Sequence, residues 1–200
     1  MFITFEGGEG SGKTSLIANV FDALSKKYPV IKTREPGGSL VAEAIRDVVL
    51  NPKYHEIKPH TEALLYAASR AQHLDEVIKP ALEKKHIVLC DRYIDSSLAY
   101  QGIARNLGVD FVLDINQYAL KTMPELTFYI DLDPKIGLKR IANRFDLDRL
   151  DQENIAFHEQ VRNGYLKLVD MYPKRLVKID GTQSLDAITK IILKTIERIL

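Results

Sequence analysis

A glycine-rich segment close to the start of the chain constrains the fold more than any other feature of the sequence. Residues 7–14 read G-G-E-G-S-G-K-T, which matches the pattern G-x-x-x-x-G-K-[ST] in full. A short apolar run at residues 2–6 precedes this segment and is typical of a buried strand. In residues 15–28, which follow it, Leu16 and Val20 lie at helical spacing. Strand, loop and helix in this order indicate a nucleotide phosphate-binding loop rather than a chance glycine-rich turn.

The residue types in this loop suit the phosphates of a nucleotide. Glycines let backbone N–H groups approach phosphate oxygens, and the start of the following helix adds partial positive charge. We expect Lys13 to reach the β- and γ-phosphates and the Thr14 hydroxyl to bind Mg²⁺. The expected ATP-binding residues of the loop are Gly7, Gly8, Glu9, Gly10, Ser11, Gly12, Lys13 and Thr14.

Size, charge and cysteine content favour a single cytoplasmic domain. A chain of 200 residues forms one ordinary domain, which we expect to span residues 1–200. The formal net charge of +1 provides no large field for nucleic acid or an anionic membrane, so neither is an expected partner. No apolar stretch approaches the length of a membrane span. The single cysteine, Cys90, excludes an intramolecular disulfide and fits a reducing compartment.

Short apolar runs alternate with helix-like segments along the chain, which predicts an α/β fold. Strands are predicted at residues 2–6, 30–34, 87–91, 126–132 and 176–180. Helices are predicted at residues 15–28, 40–50, 62–84 with a break at Pro80, 110–122, 134–144, 153–170 and 185–199. This alternation predicts a five-stranded parallel sheet between two helical layers, a three-layer fold around the phosphate loop. Open sheets of this kind bind ligands at the carboxyl ends of their strands, so the loops there are the candidate site.

The third predicted strand ends in Asp91, and Arg92 follows it. An acid at a strand tip beside a phosphate loop suits Mg²⁺, so Asp91 is the second expected metal ligand. Arg92 could hold a second phosphate group near the metal, or it could form a structural ion pair with a nearby carboxylate. The turn T-R-E-P-G-G-S at residues 33–39 follows the second strand and is a further candidate wall of the pocket.

Two pairs of residues lie four positions apart on predicted helices. Tyr66 and Arg70 share a helix face, where a ring and a guanidinium could stack on a base and donate to its edge. Spacing alone favours a packed tyrosine and a solvated arginine instead. Arg140 and Arg144 form the second pair, and Arg149 follows in a short charged segment. That segment is either a solvated connection or a lid whose arginines close over a transferred phosphoryl group.

Five motifs occur in the order found in bacterial thymidylate kinases, and the chain resembles that family. They are the phosphate loop, T-R-E-P-G-G at 33–38, D-R-Y at 91–93, S-S-L-A-Y-Q-G at 96–102 and L-D-R-L-D-Q-E at 147–153. The resemblance continues to I-D-G-T-Q at 179–183 and covers nearly the whole chain. It implies a nucleoside monophosphate kinase fold and Mg²⁺-dependent transfer of a phosphoryl group from ATP to dTMP, which yields dTDP for dTTP biosynthesis.

The resemblance also implies roles on the acceptor side. The implied substrate-binding residues are Glu9, Glu35, Pro36, Arg46, Leu50, Tyr66, Arg70, Arg92, Ser97, Tyr100 and Gln101. Glu9 would bind the sugar 3′-hydroxyl, and Arg70 would donate to thymine O4. Ser97 and Gln101 resemble the polar pair that reads the thymine edge, and Tyr66 replaces a stacking aromatic that is usually Phe.

The remaining implied roles concern phosphate and sugar. Arg92 and Arg46 resemble arginines that hold the dTMP phosphate. Tyr100 resembles the residue that disfavours a ribose 2′-hydroxyl. The pocket-lining positions are Glu35, Pro36 and Leu50.

The family divides by the position of its catalytic arginine, and this chain resembles the class that carries it in the lid. Residues 8–11 contain no arginine, whereas a lid at about residues 142–151 offers two. The implied catalytic residues are Lys13, Arg92, Arg144 and Arg149. Arg140 is implied to cover the adenine ring, and Gln183 to lie on the other side of the adenine site.

Other functions remain compatible with a phosphate loop. One is phosphorylation of a different nucleotide or nucleoside by the same fold. Another is a nucleotide-driven switch, although the guanine-reading tetrad N-K-x-D does not occur. A third is a binding module with a vestigial loop, which the presence of Lys13, Thr14 and Asp91 argues against. The family is usually dimeric, so we expect a homodimer through the helix face at residues 63–71 or at residues 110–120.

Overall fold

The computed structural model describes residues 1–143, 145 and 147–200, and it contains the predicted five-stranded parallel sheet. The strands are β1 (Phe2–Glu6), β2 (Val30–Arg34), β3 (Ile87–Asp91), β4 (Leu126–Asp131) and β5 (Leu176–Asp180). Their order across the sheet is β2-β3-β1-β4-β5, and all neighbouring strands are parallel. The carboxyl end of β1 therefore lies between the carboxyl ends of β3 and β4.

Helices cover both faces of the sheet. In the described part of the chain they are α1 (Lys13–Leu24), α2 (Leu40–Val49), α3 (Pro59–His73), α4 (Lys79–Glu83), α5 (Ile94–Ser97), α6 (Val109–Ile115), α7 (Pro134–Ile141), α8 (Ile155–Met171) and α9 (Leu185–Glu197). Wider π-type turns at Leu74–Ile78 and Leu98–Ala104 continue α3 and α5. Single 3₁₀ turns lie at Pro52–Tyr54 and Ala119–Lys121. None of the helices within the described ranges combines the length and apolar character that a bilayer crossing requires.

Two apolar layers hold the helices against the sheet, because strand side chains alternate between its two faces. On one face Phe2, Val88 and Cys90 are buried in a cluster with residues of α3 and α8. On the other face Ile3 and Phe5 are buried with residues of α1 and α9. The predicted three-layer α/β fold is therefore confirmed.

Several predicted helix boundaries are wrong for local reasons. The helix predicted at residues 62–84 begins at Pro59 and continues past Pro80 through a wide turn, in which Lys79 N–H donates to Leu74 O five residues back. A wide turn leaves room for a proline, which has no N–H of its own to donate. The helix predicted at residues 110–122 ends at Ile115. There the Asn116 side chain donates to Val112 O and competes with the backbone ladder.

Helix α5 and its continuation at Leu98–Ala104 were not predicted from the sequence. The segment S-S-L-A-Y-Q-G carries serines and a glycine of low helix propensity and has no apolar stripe. Tertiary packing overrides this weak propensity: a Cβ built on Gly164 of α8 would lie 3.1 Å from Ala99 Cα. The close approach of α8 holds residues 96–102 beside the ends of the strands.

Candidate active site

A large cleft opens at the carboxyl ends of β1, β2 and β3, with a volume of about 1480 Å³. This volume exceeds the range of about 300–1,000 Å³ that is typical of a pocket for one small ligand. Predicted residues that line the cleft are Glu9, Gly10, Ser11, Gly12, Lys13, Thr14, Glu35, Pro36, Arg46, Leu50, Tyr66, Arg70, Asp91, Arg92, Ser97, Tyr100 and Gln101. The phosphate loop and the acceptor-side residues therefore share one cleft that has room for two ligands.

The phosphate loop joins β1 to α1 and depends on glycine at its turns. Gly10 and Gly12 have φ angles of 66° and 88°, in the left-handed region that side chains disfavour. Gly10 also lies against Gly137 of α7, whose carbonyl oxygen would be 2.2 Å from a Cβ on Gly10. Ser11 Oγ donates to Gly8 O at 2.7 Å and closes the turn. Any side chain at Gly10 would displace α7 from the loop.

Lys13 is buried at the first residue of α1. Its Nζ donates to the carbonyl oxygens of Gly7 and Gly8, both at 3.0 Å. Burial and then the charge of Arg92 lower the pKa of Lys13, and Asp91 acts in the opposite direction. Two adjacent cations beside a helix N-terminus favour the binding of an anion at this end of the cleft.

Thr14 and Asp91 meet at the base of the cleft, and their oxygens fit a Mg²⁺ ion. Thr14 Oγ1 donates to Asp91 Oδ2 at 3.3 Å. Asp91 Oδ1 is buried and has no hydrogen-bond partner in the described part of the chain, as expected for an oxygen that serves a metal or its water. Residues 1–143, 145 and 147–200 contain no cluster of three or more His, Cys, Asp or Glu suited to a metal ion. Mg²⁺ does not require one, because it often binds through one or two protein oxygens, substrate phosphates and water.

Arg92 and Glu9 form an ion pair in the middle of the cleft. Arg92 Nη2 lies 2.6 Å from Glu9 Oε1, and the Tyr100 hydroxyl donates to the same oxygen at 2.8 Å. Burial by itself would raise the pKa of Glu9, but Arg92, Lys13 and the Tyr100 hydrogen bond outweigh it and lower the pKa to about 2. The structural ion pair considered for Arg92 therefore exists. Its guanidinium nevertheless lines the cleft beside the phosphate loop.

The backbone at Arg92 is held in an unusual conformation. Its φ angle is 70°, which is uncommon for a residue with a side chain. Buried Glu6 stabilises this turn, since Tyr93 N–H donates to Glu6 Oε1 at 2.7 Å and Ser96 Oγ donates to Oε2 at 2.6 Å. Burial, followed by the charge of Asp95, raises the pKa of Glu6 to about 7. The carboxyl group of Glu6 therefore fixes the direction in which the Arg92 side chain leaves the strand.

Arg70 is a buried member of a hydrogen-bonded wall, not a solvated arginine. Its Nε donates to Glu35 Oε2 at 2.7 Å, and Nη1 donates to Asn116 Oδ1 at 2.6 Å. Its Nη2 donates to Ser97 Oγ at 3.0 Å and to Tyr93 O at 3.3 Å. These four bonds leave one of the five guanidinium N–H groups for a ligand.

Tyr66 and Arg46, two of the predicted substrate-binding residues, lie on α3 and α2. Tyr66 is buried, and burial followed by the charge of Glu62 raises its pKa. Arg46 Nη1 donates to Pro36 O at 2.8 Å, while burial and then Arg34 lower the Arg46 pKa. Both side chains line the cleft.

Arg149, Arg140 and Gln183, which were predicted for the lid and the adenine site, do not line the cleft in the described part of the chain. Arg149 is buried outside the cleft lining, where its Nη2 donates to Glu62 Oε2 at 2.6 Å and its Nε donates to Val49 O at 3.0 Å. Arg144 lies outside the described residues. Arg140 Nη1 donates to Gly10 O at 3.1 Å, beside the phosphate loop. Gln183 is exposed in the turn after β5, and neither it nor Arg140 lines the cleft within the described ranges.

Buried polar residues that support the site escaped prediction, although a signal for two of them was present. Positions 62, 66, 70 and 73 follow one helix face, of which the sequence analysis predicts site roles for Tyr66 and Arg70 alone. His73 Nδ1 lies 3.1 Å from Glu35 Oε1, and its Nε2 lies 2.6 Å from Thr33 Oγ1. A polar row of this kind on a helix that packs on the core indicates a buried network. No comparable sequence signal marks Asn116.

Comparisons with known proteins agree with this arrangement. The family model described as Thymidylate kinase matches residues 5–192. A thymidylate kinase of Acholeplasma laidlawii is 62% identical over 199 residues, which cover 98% of each chain. A thymidylate kinase of Lactobacillus helveticus is 48% identical over 202 residues, which cover 98% of this chain and 95% of that protein. A crystal structure of thymidylate kinase from Ehrlichia chaffeensis superimposes with a TM-score of 0.81 at 32% identity over 98% of both chains. The chain therefore belongs to the thymidylate kinase family.

Proposed function

We propose that this protein transfers the γ-phosphoryl group of ATP to dTMP in the presence of Mg²⁺ and releases ADP and dTDP, a step in dTTP biosynthesis. The observation that carries the proposal is the shared cleft, in which the ion pair between Arg92 and Glu9 links the phosphate loop to the residues on the acceptor side. A cleft of this size accommodates a donor and an acceptor with their phosphates facing each other.

On the donor side the chain provides a cradle for ATP phosphates. In this proposal Lys13 moves its ammonium from the carbonyls of Gly7 and Gly8 to the β- and γ-phosphates. Thr14 and Asp91 would hold Mg²⁺, which when bound would offset charge on the β- and γ-oxygens. Arg140, beside the loop, would cover the adenine, and Gln183 would lie on its other side.

On the acceptor side, arginines would hold the anionic phosphate of dTMP close to the anionic γ-phosphate of ATP. Arg92 and Arg46 would bind the dTMP phosphate, whose oxygen attacks the γ-phosphorus in line. That oxygen is ionised near neutral pH, so the step needs charge neutralisation and alignment rather than a strong general base. Glu9 would accept a hydrogen bond from the sugar 3′-hydroxyl, and Tyr100 would crowd a 2′-hydroxyl.

Base selection would depend on Arg70 and the residues that hydrogen-bond to it. Its one remaining N–H would donate to thymine O4, which cytosine replaces with an amino group that also donates. Tyr66 would stack on the ring, and Ser97 and Gln101 would face its polar edge. Uracil lacks only the methyl group, so we expect weak dUMP turnover, with a difference of about 1–3 kcal/mol.

An arginine of the lid would supply a further positive charge to the transferred phosphoryl group. Arg144 and Arg149 are the two candidates, and Arg149 would have to leave Glu62 and Val49 to reach a phosphate. We also propose a cytoplasmic homodimer. An exposed Leu64 on α3 and an exposed Tyr118 after α6 support the two candidate faces.

The proposal is tested by ADP release from Mg·ATP with dTMP, dUMP, dCMP, AMP or GMP as acceptor. We expect fast turnover with dTMP, weak turnover with dUMP and little with the others. The Lys13→Ala variant should fold normally and transfer no phosphate. Acceptor-independent ATP turnover would favour a nucleotide-driven switch, and robust dCMP phosphorylation would contradict the assignment of the acceptor.

A further inference from the structure

The carboxylate of Glu62 takes no part in the proposed phosphoryl transfer. Glu62, in the first turn of α3, is fully buried. Its Oε1 accepts from Gln101 Nε2 at 2.9 Å and from Arg105 Nε at 3.3 Å. Its Oε2 accepts from Arg149 Nη2 at 2.6 Å and from Arg105 Nη2 at 3.1 Å. Three side chains, two from the Leu98–Ala104 turn and its C-cap and one from the segment before α8, therefore converge on one carboxyl group.

The contact with Gln101 decides which end of its amide faces the cleft. An ionised carboxylate only accepts hydrogen bonds, so it must bind the NH₂ end of the amide. The carbonyl oxygen of Gln101 is then left for a ligand, because Gln101 is buried and also lines the cleft. Glu62 thus turns an amide that could donate or accept into an acceptor.

Arg105 is the main charge that keeps Glu62 in its ionised form, and Arg149 makes a smaller contribution. Arg105 and Arg149 each place a guanidinium within 3.1 Å of Oε2. Burial would raise the pKa of Glu62, but the charge of Arg105 and the hydrogen bonds of Gln101 and Arg105 lower it. A neutral carboxyl group could instead donate to the amide oxygen and permit the opposite orientation.

We propose that Glu62 is a specificity-determining positioning residue, which orients the Gln101 amide so that only a base with an N–H at its N3 position is accepted. Thymine and uracil carry that N–H, whereas N3 of cytosine is an acceptor and would face the Gln101 oxygen without a proton between them. This inference rests on the proposed function, and it adds a second basis for rejecting cytosine beside Arg70.

The test compares kcat/KM for dTMP and dCMP in the wild-type enzyme, in Glu62→Gln and in Glu153→Gln. In Glu62→Gln the residue at position 62 can donate or accept, so Gln101 can turn its NH₂ toward cytosine. We expect the preference for dTMP over dCMP to fall about tenfold, the effect of one hydrogen bond. Glu153→Gln is the matched control, because Glu153 pairs with Arg105 at 2.5 Å but, among the residues that the structure describes, has no hydrogen bond to Gln101. The preference of Glu153→Gln for dTMP over dCMP should remain within about twofold of the wild-type value.

A merely structural role for Glu62 would lower both kcat/KM values together and leave their ratio unchanged, and that result would overturn the inference. If Glu62→Gln does not fold, Glu62→Asp replaces it, since it keeps the charge but shortens the reach to Gln101. The same loss of preference supports the inference and an unchanged ratio contradicts it. Absence of dTMP turnover in the wild-type enzyme would instead overturn the proposed function.

Discussion

Replacement of Glu9 by glutamine should reduce the stability of the folded protein in a manner that depends on pH. Glu9 lies 2.6 Å from Arg92 and accepts from Tyr100, and its pKa falls from 4.5 to about 2 on folding. At about 1.4 kcal/mol for each pKa unit, this decrease corresponds to about 3 kcal/mol of stability from ionised Glu9. Glu9→Gln removes that charge and leaves the Arg92 guanidinium with a neutral neighbour.

The sign of the pH dependence follows from the lowered pKa. The contribution of Glu9 is fully present above pH 4.5 and is lost as the pH falls toward 2, because the unfolded chain takes up the proton first. The stability difference between wild type and Glu9→Gln should therefore be about 3 kcal/mol at pH 7 and about 1 kcal/mol at pH 3.

Urea unfolding followed by circular dichroism at pH 7, 5 and 3 measures this difference. Titrating groups that do not interact with Glu9 cancel in the comparison, whereas Asp148 and His158, whose pKa values Glu9 raises, contribute to the measured difference. Glu83→Gln is the control, because Glu83 is exposed and its replacement should change stability by less than about 0.5 kcal/mol at each pH. A Glu9→Gln difference that stays constant from pH 7 to pH 3 would refute the ion-pair argument.

Three further changes test other parts of the site. Gly137→Ala would place a Cβ 2.1 Å from Glu9 O, so we expect at least about tenfold weaker ADP binding in calorimetry and a stability loss of about 1–3 kcal/mol. Either Arg144→Ala or Arg149→Ala should lower kcat by about 10³-fold with a much smaller change in dTMP affinity, and unchanged turnover in both would remove the lid assignment. The Glu6→Gln variant should become more stable relative to wild type as the pH rises from 4.5 to 7. Burial raises the pKa of Glu6 to about 7, so the unfolded wild-type chain loses its proton first and the wild-type protein loses stability over this range. A difference in unfolding free energy that stays constant over this pH range in urea unfolding would count against this reasoning.

The sheet was predictable from the sequence because its signals are local. Strands β1, β3 and β4 are short, mainly apolar runs that each end in a carboxylate, and β1 is followed by a loop whose glycines and lysine allow few alternatives. The parallel arrangement follows from the helices between the strands. The boundary errors arise where a neighbouring segment decides the conformation, as it does when α8 packs against Ala99.

The cleft was predictable in outline, but its hydrogen bonds were not. The positions of Asp91 and Arg92 at the tip of a strand predict that both lie beside the phosphate loop. By contrast, spacing alone favoured a solvated Arg70. Its partners Glu35 and Asn116 lie 35 and 46 residues away, and only the topology brings them together.

The position of Arg149 was also beyond sequence reasoning. A charged segment between two helices predicts exposure, yet Arg149 is buried against Glu62, 87 residues earlier in the chain. Burial of an arginine becomes favourable only where a carboxylate and carbonyl oxygens surround it. That environment depends on the packing of α2 and α3, which no local pattern encodes.

A crystal structure with dTMP and a non-hydrolysable ATP analogue tests the account most directly. We expect thymine between Tyr66 and the carboxyl ends of the strands, the dTMP phosphate within hydrogen-bond distance of Arg92, and the triphosphate in the loop around Lys13. Thymidylate bound anywhere else on the protein would contradict the assignment of the two ends of the cleft.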